Sequence, residues 1–487
     1  MSTTKKINLP ILLRVQGYLL LIEGLFMTAV IPMTYFHHGI NAFSIPFSAL
    51  ITVLTGFILC FSTRGRKGQR LTAQEGVITT SLSWVVLSIF GGLPFLLSKS
   101  VPNFTDAFFE ALSGFTTTGA SVLTNIEMVP KDILLWRSMT QWLGGLAIIV
   151  FAVVLIPFLS VGGMQLFMAE MNGINYDKLH PRTMHTAKRL WGLYIFFTLL
   201  QTFLLHAGDM DWFDAVCHSM TTISSGGFST RTTSLAGYSN YSQIVVTFFM
   251  ALSGCNFTLL LITLLRNPLA LFKNEEFKHY CIIILTIGTT LALTLIFMLH
   301  TSIGESLRAS FFSVISALST TGFFVTDYTL WPTGMWTLLI LLMFIGACSG
   351  STSGGIKIIR HLIFTKNALL DLKRIIHPNA VIPVKINRKS ISNSVIFKTL
   401  TFIFVYFFIF IGGTFILLAL GVDFNTSVGA SLATLSNLGT GIGNVGPYGT
   451  YAFLPQTAKW ILMAFMLLGR VELFTLITIF TRNFWRG

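Results

Sequence analysis

Four apolar stretches of ten to thirteen residues, at 106–115, 212–223, 307–319 and 425–435, each run into a short glycine-centred segment. An α-helix needs about 20 apolar residues to cross the hydrocarbon of a bilayer, so none of the four can span it. Each must enter, stop and turn back. The segments that follow are Thr117-Thr118-Gly119, Ser224-Ser225-Gly226, Thr320-Thr321-Gly322 and Asn437-Leu438-Gly439, with glycines 107, 96 and 117 residues apart. Non-helical backbone at membrane depth is tolerated only where protein buries it or it lines a wet cavity. One Thr-Thr-Gly is an ordinary tight turn. Four at matching places predict four equivalent backbone segments around one axis, the arrangement that a cation selectivity filter requires.

Around these stretches the chain is 53% hydrophobic and only 10% charged, against about 25% charged in a soluble domain. The expectation is an all-α polytopic membrane protein. Spans at 11–35 and 42–61 make an N-terminal two-helix hairpin (1–70) without a glycine segment, its first span retained rather than cleaved as a signal. Four span–pore loop–span repeats follow at 71–160, 161–266, 267–375 and 376–487. Their spans are placed at 76–97 and 133–157, 190–206 and 241–265, 280–300 and 333–359, and 395–420 and 457–480. The reading is ten full spans plus four re-entrant loops around one pseudo-fourfold pore.

The formal charge of +14 does not indicate nucleic acid. Lysine and arginine concentrate in alternate loops, around Lys5, Arg64, Arg182, Arg266, Lys357 to Lys398, and Arg482. The positive-inside rule puts those loops, and both termini, in the cytoplasm. The intervening loops are richer in acids, among them Asp106, Glu110, Asp214 and Asp423, and an acidic outer face would concentrate cations at the entrance. Cys60, Cys217, Cys255, Cys281 and Cys348 have no metal-ligand spacing and read as reduced packing residues; His218 is likewise read as packing. There is no GxxxxGK[ST], no Rossmann fingerprint, no HExxH and no pair of aspartates within spans, so an organic cofactor and membrane-enzyme chemistry are not expected.

Two further features sit in spans. Gly346-Ala347-Cys348-Ser349-Gly350-Ser351-Thr352-Ser353-Gly354-Gly355 interrupts the second span of the third unit; each glycine costs a helix about 1 kcal/mol relative to alanine. It is either a kink that packs or a flexible loop that obstructs the passage below the third segment. Arg470 lies inside the last span, where a charge faces a wet cavity or a partner. It is either a structural ion pair, for instance with Glu23, or a cationic barrier below the filter. Lys357 and Arg360 follow the loop as interfacial anchors or as a link to a cytoplasmic partner.

The four glycine segments, the Trp142-Leu143-Gly144-Gly145 and Gly469-Arg470-Val471-Glu472 runs and the extra hairpin resemble the Trk/Ktr/HKT superfamily of potassium transporters, in its TrkH branch. The resemblance covers all four units. It implies potassium as the transported ion, Gly119, Gly226, Gly322 and Gly439 as filter glycines, and 346–355 as an intramembrane gating loop. It also implies a homodimer in the bacterial inner membrane, with a cytoplasmic TrkA-type subunit carrying nucleotide-binding RCK domains. None of the segments reads TVGYG. A symporter coupled to protons or sodium is the alternative.

Overall fold

The computed structural model describes residues 8–36, 43–64, 72–154, 183–380, 382–471 and 473–486. The expected boundary at 160, and Glu472, lie outside the described residues. The described elements are helices, apart from one small antiparallel ladder, Lys385–Ile386 with Lys389–Ser390, in the basic segment between the third and fourth units.

The first two helices, Leu9–Phe36 and Ser44–Ser62, run antiparallel, with Gly17 against Gly56 and Gly24 against Val53. Small residues let two such backbones approach closely. The pair is tied to the rest through Gln16, whose amide donates to Ser83 Oγ at 3.0 Å. Leucine and phenylalanine side chains remain exposed along the outside of long helices, for example Phe397, Phe404, Phe408 and Phe415 on Asn393–Ala419. A continuous apolar belt of this kind suits lipid.

The four short helices are Phe104–Phe115, Trp212–Ile223, Ile303–Leu318 and Phe424–Leu435. Each starts at a capping side chain (Asn103, Asp211, Ser302, Asp423) that accepts the amide of the third helical residue. The Thr426 amide holds the exposed Asp423 carboxyl below the usual carboxylate range. Three of them have 12 residues, about 18 Å of helix, and Ile303–Leu318 has 16, about 24 Å; all fall short of the roughly 30 Å hydrocarbon thickness. The half-length reading therefore corresponds to real helices.

Three of the four second spans are bent or broken, and the sequence marks only the break in the third. In the second unit, Asn240–Ser253 and Phe257–Leu265 meet at 100°, because Asn256 caps a new helix by accepting the Leu259 amide. In the fourth, Gln456–Val471 and Leu473–Ile479 meet at 116°. The third is interrupted between Thr333–Phe344 and Ile358–Ile376. Five described helices are long and apolar enough to cross a membrane, or seven if each bent pair is one span. Lys131–Val154 and Thr183–His206, of 24 residues each, occupy two more of the expected span positions.

The core falls into two parts. One joins the second and third units around Tyr194, Phe249, Phe312 and Leu339; the other joins the first and fourth around Phe109, Trp136, Leu462 and Met466. Two buried ion pairs stitch the latter half. Lys459 Nζ meets Asp106 Oδ1 at 2.6 Å, and Arg137 Nε meets Glu110 Oε1 at 2.7 Å. Arg137 also lies over the Phe228 ring, 3.5 Å from its centre. The acidic outer face is thus smaller than the sequence suggests, because Asp106 and Glu110 are neutralised inside the protein.

Removing one member of such a pair strands the other. Lys459→Met is expected to lower stability by about 3–5 kcal/mol, and Asp106→Leu combined with Lys459→Met to recover most of it. Thermal unfolding in detergent checks this; equal stability of the single variant and the parent would show that the pair contributes nothing.

Candidate functional site

The four short helices end alike. At each C-terminus a hydroxyl residue, Thr116, Ser224, Ser319 or Ser436, closes the helix. The next residue then takes a left-handed backbone: Thr117 at φ 51°, Ser225 at 55°, Thr320 at 53° and Asn437 at 55°. The residue after it returns its amide to the carbonyl five positions back: Thr118 to Ser113, Gly226 to Thr221, Thr321 to Ser316 and Leu438 to Ala433. This is the Schellman arrangement, which usually places glycine at the left-handed position. Here that position carries a side chain, and at Thr117 and Thr320 a β-branched one, a conformation that costs energy and persists only when the surroundings enforce it.

A second positive φ follows two residues later, at Gly119 (80°), Gly227 (76°), Gly322 (86°) and Gly439 (80°). The repeated geometry fixes the register. In the second segment the equivalent glycine is Gly227, one position beyond Gly226, and Ser224 aligns with the capping residues Thr116, Ser319 and Ser436. The adjacent glycines Gly226-Gly227 made this one-residue choice ambiguous in the sequence.

These four glycines also show how the segments are arranged. A β-carbon on Gly119 would overlap the Gly226 carbonyl; on Gly227, that of Thr321; on Gly322, that of Leu438; on Gly439, that of Thr118. Each segment therefore packs against the next, and the fourth against the first, which closes a ring. Side chains reinforce it. Asn437 Nδ2 donates to Thr118 Oγ1 at 2.9 Å, and Thr440 Oγ1 donates to the Gly322 carbonyl at 2.6 Å. Gln141 donates to the Gly226 carbonyl at 2.6 Å and accepts from Phe228 N at 3.0 Å; in the sequence it stands among the polar residues Arg137, Ser138 and Thr140, with nothing to single it out. Gly144 and Gly469 let the flanking helices touch the backbone of Phe115 and Leu435, at the ends of the first and fourth short helices. All four short helices direct their C-termini at the ring, and a helix carries partial negative charge there. His218 is buried behind the second segment and meets Ser229 Oγ at 3.0 Å.

Residues 346–355 lie against the base of this ring. Ser225 Oγ meets Thr352 Oγ1 at 2.7 Å, Gly354 N donates to Thr320 Oγ1 at 2.7 Å, and Gly354 abuts Ser436 and Asn437. The loop is held as an irregular strand, with Gly346 N on Ile356 O, Cys348 N on Gly254 O, and Gly350 O accepting from Phe257 N. Arg470, buried, donates from Nη1 to Thr352 O at 2.7 Å and from Nη2 to Gly144 O at 3.2 Å. Its partners are backbone carbonyls of two other units, and the expected ion pair with Glu23 does not form: among the described residues Glu23 has no hydrogen-bond partner. Lys357 folds back onto Ser353 and Ser351 rather than anchoring at an interface, and Arg360 lies over the Phe402 ring at 3.7 Å.

Comparison with known proteins follows the same outline. Residues 43–486 match the family model described as TrkH, cation transport protein. The Trk system potassium uptake protein TrkH of Salmonella typhimurium is 38% identical over 482 residues, covering 97% of this chain and 98% of that protein. The protein of the same name from Halomonas elongata is 37% identical over 487 residues, covering 98% and 100%. Among solved structures, the crystal structure of the potassium transporter TrkH from Vibrio parahaemolyticus superimposes with a TM-score of 0.88 at 32% identity, covering 98% of this chain and all of that one.

Proposed function

On the premise that this chain belongs to the TrkH family of cation transport proteins, we propose that it is the membrane subunit of a bacterial potassium uptake system and conducts potassium through one gated pore. It is a multi-pass membrane transporter and not an enzyme. The observation that carries the pore reading is the closed order of contacts among the four glycine segments. A dehydrating cation needs several oxygen ligands at once. Four extended segments with their carbonyls, the hydroxyls of Thr118 and Thr321, and four converging helix C-termini supply negative potential without any fixed carboxylate at the ring.

In this reading Thr117, Thr118 and Gly119, Ser225, Gly226 and Gly227, Thr320, Thr321 and Gly322, and Asn437, Leu438 and Gly439 form the filter. Loop 346–355 and Arg470 form the gate beneath it. A loop bonded to the filter's own left-handed residues Ser225 and Thr320 occupies the path an ion leaving the ring would take. The basic face is cytoplasmic, with both termini on that side, and the inward-negative potential favours entry by about 2.3 kcal/mol per 100 mV. Assembly as a homodimer with a nucleotide-binding TrkA-type subunit is part of the proposal. The helix Ile358–Ile376 and the 385–390 hairpin, which bear Lys366, Lys373, Arg374, Arg388 and Lys389, offer that subunit a basic docking face.

Current recordings from the purified protein in planar bilayers test the reading. The reversal potential is expected to follow the potassium gradient and to stay fixed when a proton or sodium gradient is imposed. A reversal that moves with pH would replace the pore by a coupled symporter, an alternative that the named relatives do not favour.

A further inference from the structure

Glu276 plays no part in the filter, yet it is a buried carboxylate at the junction of three elements. It sits in the first turn of Glu275–Leu299 with 5% of its surface exposed. Its Oε1 accepts the Ser349 amide at 2.6 Å and the Ile359 amide at 3.2 Å, and its Oε2 accepts the Ser349 hydroxyl at 2.8 Å. Ser349 belongs to the loop beneath the ring. Ile359 belongs to the first turn of Ile358–Ile376, whose N-cap residue Lys357 supplies no side-chain cap. One carboxylate therefore joins the start of the loop to the helix that follows it, and caps that helix from another part of the chain.

The neighbouring residue carries the connection outward. Glu275 Oε2 pairs with Lys366 Nζ at 2.5 Å, and Glu275 N donates to Asn387 Oδ1 at 2.8 Å. Lys366 also donates to the Lys385 carbonyl at 2.9 Å. Two consecutive glutamates thus hold, on one side, the loop and, on the other, the basic surface hairpin. Arg470 grips the same loop three residues further on, at Thr352 O. Beside the backbone bonds at Gly346, Cys348 and Gly350, two charged side chains grip the middle of the loop, Glu276 at Ser349 and Arg470 at Thr352.

We infer that Glu276 is a positioning residue that latches loop 346–355 in its closed place and couples it to the basic surface formed by 358–390. The inference rests on the gate reading of the loop and adds to it the element through which a partner at that surface would act. A push on the hairpin or on Ile358–Ile376 moves the Lys366–Glu275 pair, and with it the carboxylate that holds Ser349.

Cys348, in the loop and 2% exposed, provides a readout that overall folding alone would not move. Full-length parent, Glu276→Ala, Glu276→Gln and Ser349→Ala are reconstituted in liposomes. Labelling of Cys348 by a membrane-impermeant maleimide is followed by peptide mass spectrometry, and potassium and sodium uptake are measured in parallel. Glu276→Ala is expected to label about tenfold faster, the change that losing roughly one charge-assisted hydrogen bond's worth of hold on the loop produces. Ser349→Ala is expected to move the same way by less, and Glu276→Gln to fall between Glu276→Ala and the parent. Potassium uptake rises in the same order, with the potassium-to-sodium ratio unchanged. Unchanged labelling in Ser349→Ala and in either Glu276 variant that folds overturns the latch. Faster labelling without a change in uptake leaves the latch standing and overturns the gate reading instead.

Discussion

Gly227→Ala is expected to abolish potassium-preferring uptake in liposomes, and Gly119→Ser and Gly439→Ser to do nearly as much. Each of these glycines has a positive φ, which alone costs a side chain about 1–2 kcal/mol. The larger effect is steric. At Gly227 an added β-carbon collides with the backbone of Thr321, and at Gly119 and Gly439 with that of Gly226 and of Thr118. A carbonyl in the ring must then rotate or shift. A distortion worth about 1.4 kcal/mol at one ion site changes relative occupancy about tenfold, so potassium preference falls by at least that much or uptake is lost. Gly226→Ala is a useful contrast. Its β-carbon would meet the end of the Gln141 side chain, which would give up its bonds to Gly226 O and Phe228 N without displacing a neighbouring segment's backbone, so a smaller loss is expected there. Uptake of both cations, measured on variants shown to fold, decides the matter. Parent-like selectivity at Gly119, Gly227 and Gly439 would mean that these glycines are turns and that the ring is not a filter.

Arg470→Ala is expected to increase potassium uptake at rest. The substitution removes a positive charge from below the ring and takes donors from Thr352 O and Gly144 O, each bond to a charged group being worth about 1.5–3 kcal/mol. In the proposed reading the loop loses its inner hold and the passage loses a cationic barrier together. Arg470→Lys separates the two contributions. It keeps the charge, but a single ammonium lacks the planar fork that bridges two carbonyls. Uptake in Arg470→Lys close to the parent's would assign the restraint to charge, and uptake close to that of Arg470→Ala would assign it to the brace. Uptake in Arg470→Ala equal to the parent's would leave the residue a structural tie between the first, third and fourth units.

What was legible in the sequence was what depends on local pattern. Apolar length set the short helices to within a few residues, and a glycine, after a hydroxyl residue in three of the four, marked where they turn. Composition could not resolve Gly226 from Gly227, because two adjacent glycines permit either register and only the neighbouring segment's carbonyl selects one. The break at 254–256 escaped because a capping asparagine inside an apolar run looks like a tolerated polar residue. The pairs Asp106–Lys459 and Glu110–Arg137 read as surface charges because their burial depends on contacts made across the bundle. Nothing in the sequence singles out Glu276: it precedes the span expected at 280–300, and an acid near a helix start is suited by the helix dipole alone, so no local pattern marks its bonds to Ser349 and Ile359.

The order of contacts in the ring also has a consequence for how the protein is made. Asn437 reaches Thr118 across 319 positions of sequence, and Gly439 packs against the same first segment. A ribosome that has released the first three segments into the bilayer has made three sides of an enclosure whose fourth side is still unsynthesised. The loop at 346–355 is translated before that last side, so the segment proposed as the gate is made before the ring can close. In the proposed reading, an unfinished chain therefore holds no complete set of oxygen ligands.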